Sequence, residues 1–153
     1  MRHRTLWGIG VATLFGVGAA AVLPLHAGDS AVKCSLATLN GQYLEAGNGM
    51  LFPPAFGVKV PSVSAVAAYS VYNGDGTGTD WVTFTVDGVN AKVTSPARTA
   101  YTLKANCTGT RTVLPDGPHF DIFVAADGSG LTEVSTDQGF AVSTFDRRVG
   151  SVP

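Results

Sequence analysis

Beyond residue 40 the chain alternates. In Trp81-Val82-Thr83-Phe84-Thr85-Val86, the residues Val82, Phe84 and Val86 share one face, and Trp81, Thr83 and Thr85 the other. Ile122 and Val124 oppose Asp121 and Phe123 in the same way, and Val63, Ala65, Ala67, Tyr69 and Val71 share a face of a longer run. A period of two marks a half-buried strand, because successive side chains leave opposite faces of a sheet. Turn pairs separate these runs: Asn40-Gly41, Asn48-Gly49, Asn73-Gly74-Asp75-Gly76, Asp87-Gly88, Asp116-Gly117 and Asp127-Gly128. Asx-Gly pairs supply the positive φ that tight hairpins need. The pattern predicts strands at 41–47, 63–72, 79–86, 97–105, 109–114, 120–126, 130–136 and 140–147. Short strands at regular spacing form a sandwich or a barrel. No segment after residue 40 has a helical period. Ser62 to Ala68 is alanine-rich, but its valines and neighbours favour a strand. Segment 48–62 carries Pro53, Pro54 and Pro61 and reads as a long loop. Its Met50, Leu51, Phe52 and Phe56 suit a loop folded over the mouth or end of a barrel.

The N-terminus breaks this pattern. Arg2 and Arg4 precede an uncharged apolar run from Leu6 to Leu25, which ends Leu25-His26-Ala27. A basic start, an apolar stretch and a site near small-x-small describe a signal peptide, with the cut expected after Ala27. An uncleaved anchor is the rival, since about 20 apolar residues span a bilayer. Gly8, Gly10, Gly16, Gly18 and Pro24 make the run a poor helix, and a cleavage-like site follows at once. Cys34 lies well past the run, which argues against a lipoprotein. The expected organisation is a cleaved signal helix at 1–27 and one β-barrel domain at 28–153, secreted or periplasmic and off the membrane once cut.

Composition narrows the partners. Removing Arg2 and Arg4 with the signal takes the formal charge from −1 to about −3. No basic stripe remains, so nucleic acid is not an expected partner. With 45% hydrophobic and 14% charged residues, the chain can build a core. Cys34 and Cys107 are the two cysteines; in an exported protein they point to one disulfide. A metal site is the weaker reading, because neither has a histidine nearby, and so is a catalytic thiol, because neither has an adjacent base.

Cys34-Ser35-Leu36-Ala37-Thr38-Leu39-Asn40-Gly41-Gln42-Tyr43 resembles the start of a family of small exported bacterial proteins. The resemblance continues through Asp75-Gly76-Thr77-Gly78, in shifted form, to Tyr101-Thr102 and Cys107-Thr108-Gly109-Thr110. It then covers Phe120-Asp121-Ile122-Phe123-Val124, Asp127-Gly128 and Thr136-Asp137-Gln138-Gly139, and closes at Arg147-Arg148. Such proteins look like the allene oxide cyclase barrel, a calycin-like, eight-stranded antiparallel up-and-down barrel. The resemblance implies that fold and a Cys34–Cys107 bridge. Its motifs are turn and disulfide residues, so it carries over no catalytic residue. Segment 48–62 departs from the shorter, more polar link of that family, which alters the expected pocket entrance.

An eight-stranded barrel is either filled by side chains or holds one small ligand. The expected function is to bind a small apolar molecule in the barrel. The alternatives are a cyclase or isomerase acting by substrate confinement, or a structural or surface protein with a filled barrel. Tyr43, Tyr69, Trp81, Phe84, Tyr101 and Phe120 are the expected ligand-lining residues, with Tyr72 and Phe123 as further aromatics and ordinary core packing as the competing reading. Glu45 is the acid of most interest, sharing a face with Tyr43. Facing inward, it would have a raised pKa and could orient a ligand or move a proton. Because glutamate is seldom buried, the outward, solvated orientation is the expectation. His119 stands near Asp121 but has no Gly-x-Ser-x-Gly motif to serve, and reads as a surface residue. The Asp-Gly run 73–80 lacks the terminal glutamate of a calcium loop and reads as a hairpin turn. No metal and no cofactor are expected.

Overall fold

The structure, a computed structural model, describes residues 33–92 and 96–152. The segment read as a signal, 1–27, lies outside them.

Among the described residues nine strands form: β1 (Gly41–Leu51), β2 (Ser62–Tyr72), β3 (Thr77–Val86), β4 (Val89–Lys92), β5 (Ala97–Leu103), β6 (Thr108–Leu114), β7 (His119–Val124), β8 (Gly130–Ser135) and β9 (Phe140–Gly150). Every described pairing is antiparallel. β1 pairs with both β2 and β9, and β2 with β3, so the sheet closes on itself. β4 and β5 share one edge of β3: Val89–Lys92 pairs with residues 83–86, and Ala97–Ala100 with 77–80. The closed wall is therefore an eight-stranded antiparallel barrel in which each strand follows its sequence neighbour around the circle. Closure removes the unpaired edges that an open sheet of this size would present.

All eight expected strands form. β1 runs on to Leu51 and β9 to Gly150, so the loop read at 48–62 begins at Phe52. β4 and two one-turn 3-10 helices, Leu36–Leu39 and Ala55–Gly57, were not legible as elements. Short helices of this kind bury too few side chains to impress a period on the sequence.

Alternation fixes what enters the barrel. β2 turns Ser62, Ser64, Ala68, Ser70 and Tyr72 inward and leaves Val63 60% exposed. Its inward face is the small, hydroxyl-bearing one, which leaves interior volume for other strands to fill. The interior stacks in three layers. At one end sit Tyr43, Tyr72, Tyr101, Val124 and Leu131, with Leu39 against them. At the other lie Leu51, Phe84, Val86, Val113, Phe120, Phe140 and Val142. Between them lies a charged layer.

The tyrosine end is plugged. The Leu36–Leu39 turn crosses it, held by the Tyr101 hydroxyl donating to the Leu36 carbonyl at 3.0 Å. Tyr43 donates to the Gly128 carbonyl at 2.8 Å. Cys34 and Cys107 form the expected disulfide, Cα–Cα 5.0 Å, which ties the start of the barrel to the β5–β6 turn. Among the described residues, 52–58 lie over the opposite end. There the Phe52 N–H donates to the Gly139 carbonyl at 2.7 Å. Gly139 has φ +78, and the Phe52 carbonyl lies 2.5 Å from where its Cβ would stand, so a side chain is excluded twice over.

Candidate functional site

The charged layer centres on Arg111 of β6, which is 2% exposed. Its Nη1 donates to Glu133 of β8 at 2.6 Å. Its Nη2 makes a short contact with Asp80 of β3 and lies 3.8 Å from Glu45 of β1. Asp146 of β9, fully buried, accepts from the Thr144 hydroxyl at 3.4 Å. Tyr72 of β2 donates to the second oxygen of Glu133 at 3.3 Å. Three buried carboxyl groups thus contact one guanidinium, and a fourth, Asp146, lies within its field.

Such a balance cannot stay fully ionised, because burial penalises charge and like charges penalise each other. Desolvation, reinforced by Glu133, Glu45 and Asp80, pushes Asp146 up to about 9. Desolvation also raises Glu45 to about 7, with Arg111 pulling it down and Glu133 and Asp80 pushing it up. Glu133 is raised by burial against the opposing pull of Arg111. Burial alone would lower the pKa of Arg111; the field of Glu133, Tyr72, Asp80 and Glu45 overrides it and raises the pKa well above the usual value. Arg111 therefore stays charged, while Glu45, Glu133 and Asp146 are drawn towards protonation.

Above this layer, on the phenylalanine side, the barrel is hollow. A cavity of about 230 Å³ is walled by Val66, Val82, Phe84, Val113, Phe120, Phe140 and Val142. Glu45, Arg111 and Thr144 form its polar floor, and Phe56 of the covering loop stands at its mouth. The Phe56 ring lies 5.7 Å from Phe84 and 5.1 Å from Phe140. The Arg111 guanidinium lies 5.4 Å from the centre of the Phe120 ring. Glu45 Oε2 is buried without a hydrogen-bond partner in the protein, and so are Asp146 Oδ2 and Arg111 Nε.

The structure divides the residues singled out from the sequence. Phe84 and Phe120 stand on the cavity wall. Tyr43 and Tyr101 face inward, but in the plugged end on the far side of the charged layer. Tyr69 and Trp81 are corrections: they sit outside the barrel, stacked on each other at 5.6 Å, with Trp81 47% exposed. The register pairs them directly across β2 and β3, where each ring shelters the other. Glu45 is a correction of the opposite kind. It points inward and is 6% exposed, because Arg111 and its neighbours make burial tolerable. His119 is exposed, and its Nδ1 lies 2.9 Å from Asp137 rather than on Asp121. This pair borders a shallower hollow beside the mouth that shares Phe56, Pro118 and Phe140 with the cavity.

Arg111, Asp80, Glu133 and Asp146 were missed. A signal exists for three of them. Asp80 is in phase with Val82, Phe84 and Val86, Glu133 with Leu131, and Asp146 with Val142. An acid in phase with the apolar face of a strand has to be buried, and so needs a cation beside it.

No protein-family model, no curated protein and no solved structure matches this chain. Among the described residues, no group of three or more His, Cys, Asp or Glu is placed to hold a metal, and no helix is long and apolar enough to cross a membrane.

Proposed function

We propose that this protein is exported by its 1–27 segment and holds a small, largely apolar molecule in the hollow half of its barrel. The observation that carries this reading is the cavity itself: about 230 Å³ of space within apolar walls, above a buried carboxyl group that makes no hydrogen bond in the protein. Apolar walls with a few convergent polar groups are the usual make-up of a small-molecule site. At the packing density of protein interiors, about 0.75, this space takes about 170 Å³ of ligand, on the order of ten non-hydrogen atoms. The disulfide supports an oxidising compartment. The likeness to allene oxide cyclase-type barrels supports a ligand held inside the barrel wall.

Native mass spectrometry of protein purified from its own producing cells tests the reading. A retained mass of that size is expected, and it should be lost in Val66→Phe, which fills the cavity from its wall. Apo protein throughout, with the same thermal melting in the presence of small hydrophobic compounds, would overturn it.

One observation favours a second reading, a cyclase or isomerase. Glu45, held at about 7 on the cavity floor, is placed to give or take a proton near neutral pH from a molecule confined above it.

A further inference from the structure

The floor of the cavity has a sign. Its polar residues are Glu45, Thr144 and Arg111. Arg111 is occupied through both terminal nitrogens by Glu133 and Asp80. Its Nε has no protein partner, but an acid brought to it would be the fourth carboxyl group against a single guanidinium, with Asp146 close by. An anionic head group is therefore refused by charge. Glu45, nine-tenths buried on the cavity floor, makes no hydrogen bond within the protein and has only Arg111 beside it at 3.8 Å, so its carboxyl group asks for a donor. The walls point the same way. Phe56, Phe84 and Phe140 cluster at the mouth with ring centres 5.1 to 6.3 Å apart. Phe120, already beside one cation, stands next to Phe140 at 6.0 Å. A carboxylate at the base of an aromatic-walled cavity is the chemistry that receives an alkylammonium ion, its charge on the anion and its hydrocarbon on the rings.

We propose that the cavity takes a small organic cation, an alkylammonium compound whose nitrogen sits on Glu45 and whose hydrocarbon lies among the phenylalanines. This rests on the reading that the cavity holds a ligand, and it names the ligand's charge. An entering ammonium replaces the proton that Glu45 otherwise shares with its surroundings, so binding competes with protonation. The groups that face Glu45 are Arg111 on β6, Asp80 on β3, Glu133 on β8, Asp146 on β9 and Tyr72 on β2. His119 and Asp137 lie on the rim.

The test titrates the full disulfide-bonded domain by calorimetry with n-octylamine, n-octanol and n-octanoate, which share one chain and differ in head group. Octylamine is expected to bind at least tenfold tighter than octanol at pH 7.5, and octanoate not to bind. From pH 6 to pH 8 the octylamine affinity should rise about tenfold, as an acid titrating near 7 gives up its proton. In Glu45→Gln the preference for amine over alcohol should fall below threefold and its pH dependence should vanish. The wild-type comparison of octylamine with octanoate stands even where that variant does not fold. Octanoate binding as tightly as octylamine, or an amine affinity untouched by Glu45→Gln, overturns the proposal. Octanol binding with no preference for the amine overturns the charge and keeps the cavity; failure of all three overturns both.

Discussion

The two ends of this barrel are both lined with aromatic rings, yet they are built to opposite purposes. At the plugged end the rings are tyrosines. Tyr43 and Tyr72 meet edge to face at 5.3 Å, Tyr72 and Tyr101 at 5.4 Å, and all three hydroxyls donate within the protein. At the hollow end the rings are phenylalanines with nothing to donate, arranged around a space rather than filling one. The difference teaches where the stability resides. One end is cross-linked, with its tyrosine hydroxyls bonded; the other is left open by the same wall. The charged layer separates them and is the floor of one and the ceiling of the other.

The largest effect should come from removing that layer's single cation. Arg111→Met leaves Glu45, Asp80, Glu133 and Asp146 without a counter-charge, and breaking a buried ion pair from one side costs about 3–5 kcal/mol. With more than one acid stranded, urea unfolding should show at least that loss, with the variant faring better at acidic pH. A loss below about 1 kcal/mol would mean that the two ends are not divided by an ionic layer at all.

Next comes the staple. Opening Cys34–Cys107 releases a separation of 73 residues, for which loop-closure entropy gives about 4 kcal/mol. Denaturant melts of the Cys34→Ser, Cys107→Ser double variant should show this loss. Hydrogen exchange should place the new opening around Tyr43 and Tyr101, with Phe84 and Phe140 little changed. Equal loosening at both ends would dissolve the contrast.

The smallest effect is a slope. The folded-state pKa of Asp146, about 9, lies above its ordinary value of 3.8. Its proton is therefore held in the folded state and released in the unfolded one. Stability should fall as pH rises between those two values, and the slope is read between pH 6 and 8, where one such group contributes at most about 1.4 kcal/mol per pH unit. Asp146→Asn should flatten that fall in melting experiments between pH 6 and 8. An unchanged slope would show that Asp146 does not carry the proton.

Much of the wall was legible beforehand and little of its contents. Period two and the Asx-Gly turns located all eight strands, because both signals are local. The inward face of a strand is harder to assign when each face carries some apolar residues. β2 shows this: Val63, Tyr69 and Val71 look like a core face, yet the serines opposite them point in. Tyr69 and Trp81 mislead for the same reason, since a cross-strand pair can shelter large rings on an outer surface. Glu45 was misjudged because its partner, Arg111, lies on a strand far away in sequence. Burial of a charge is decided by the neighbour, and the neighbour is set by barrel closure rather than by spacing.

One consequence follows from the direction of the first and last strands. β1 leaves the plugged end at Gly41, and β9 returns to it, with Gln42 beside Gly150. The described chain enters and departs on the same side, and the mouth beneath Phe56 faces the other way. Anything joined at the ends of the described domain, residues 33 and 152, attaches like the stem of a goblet and leaves the rim turned to the medium.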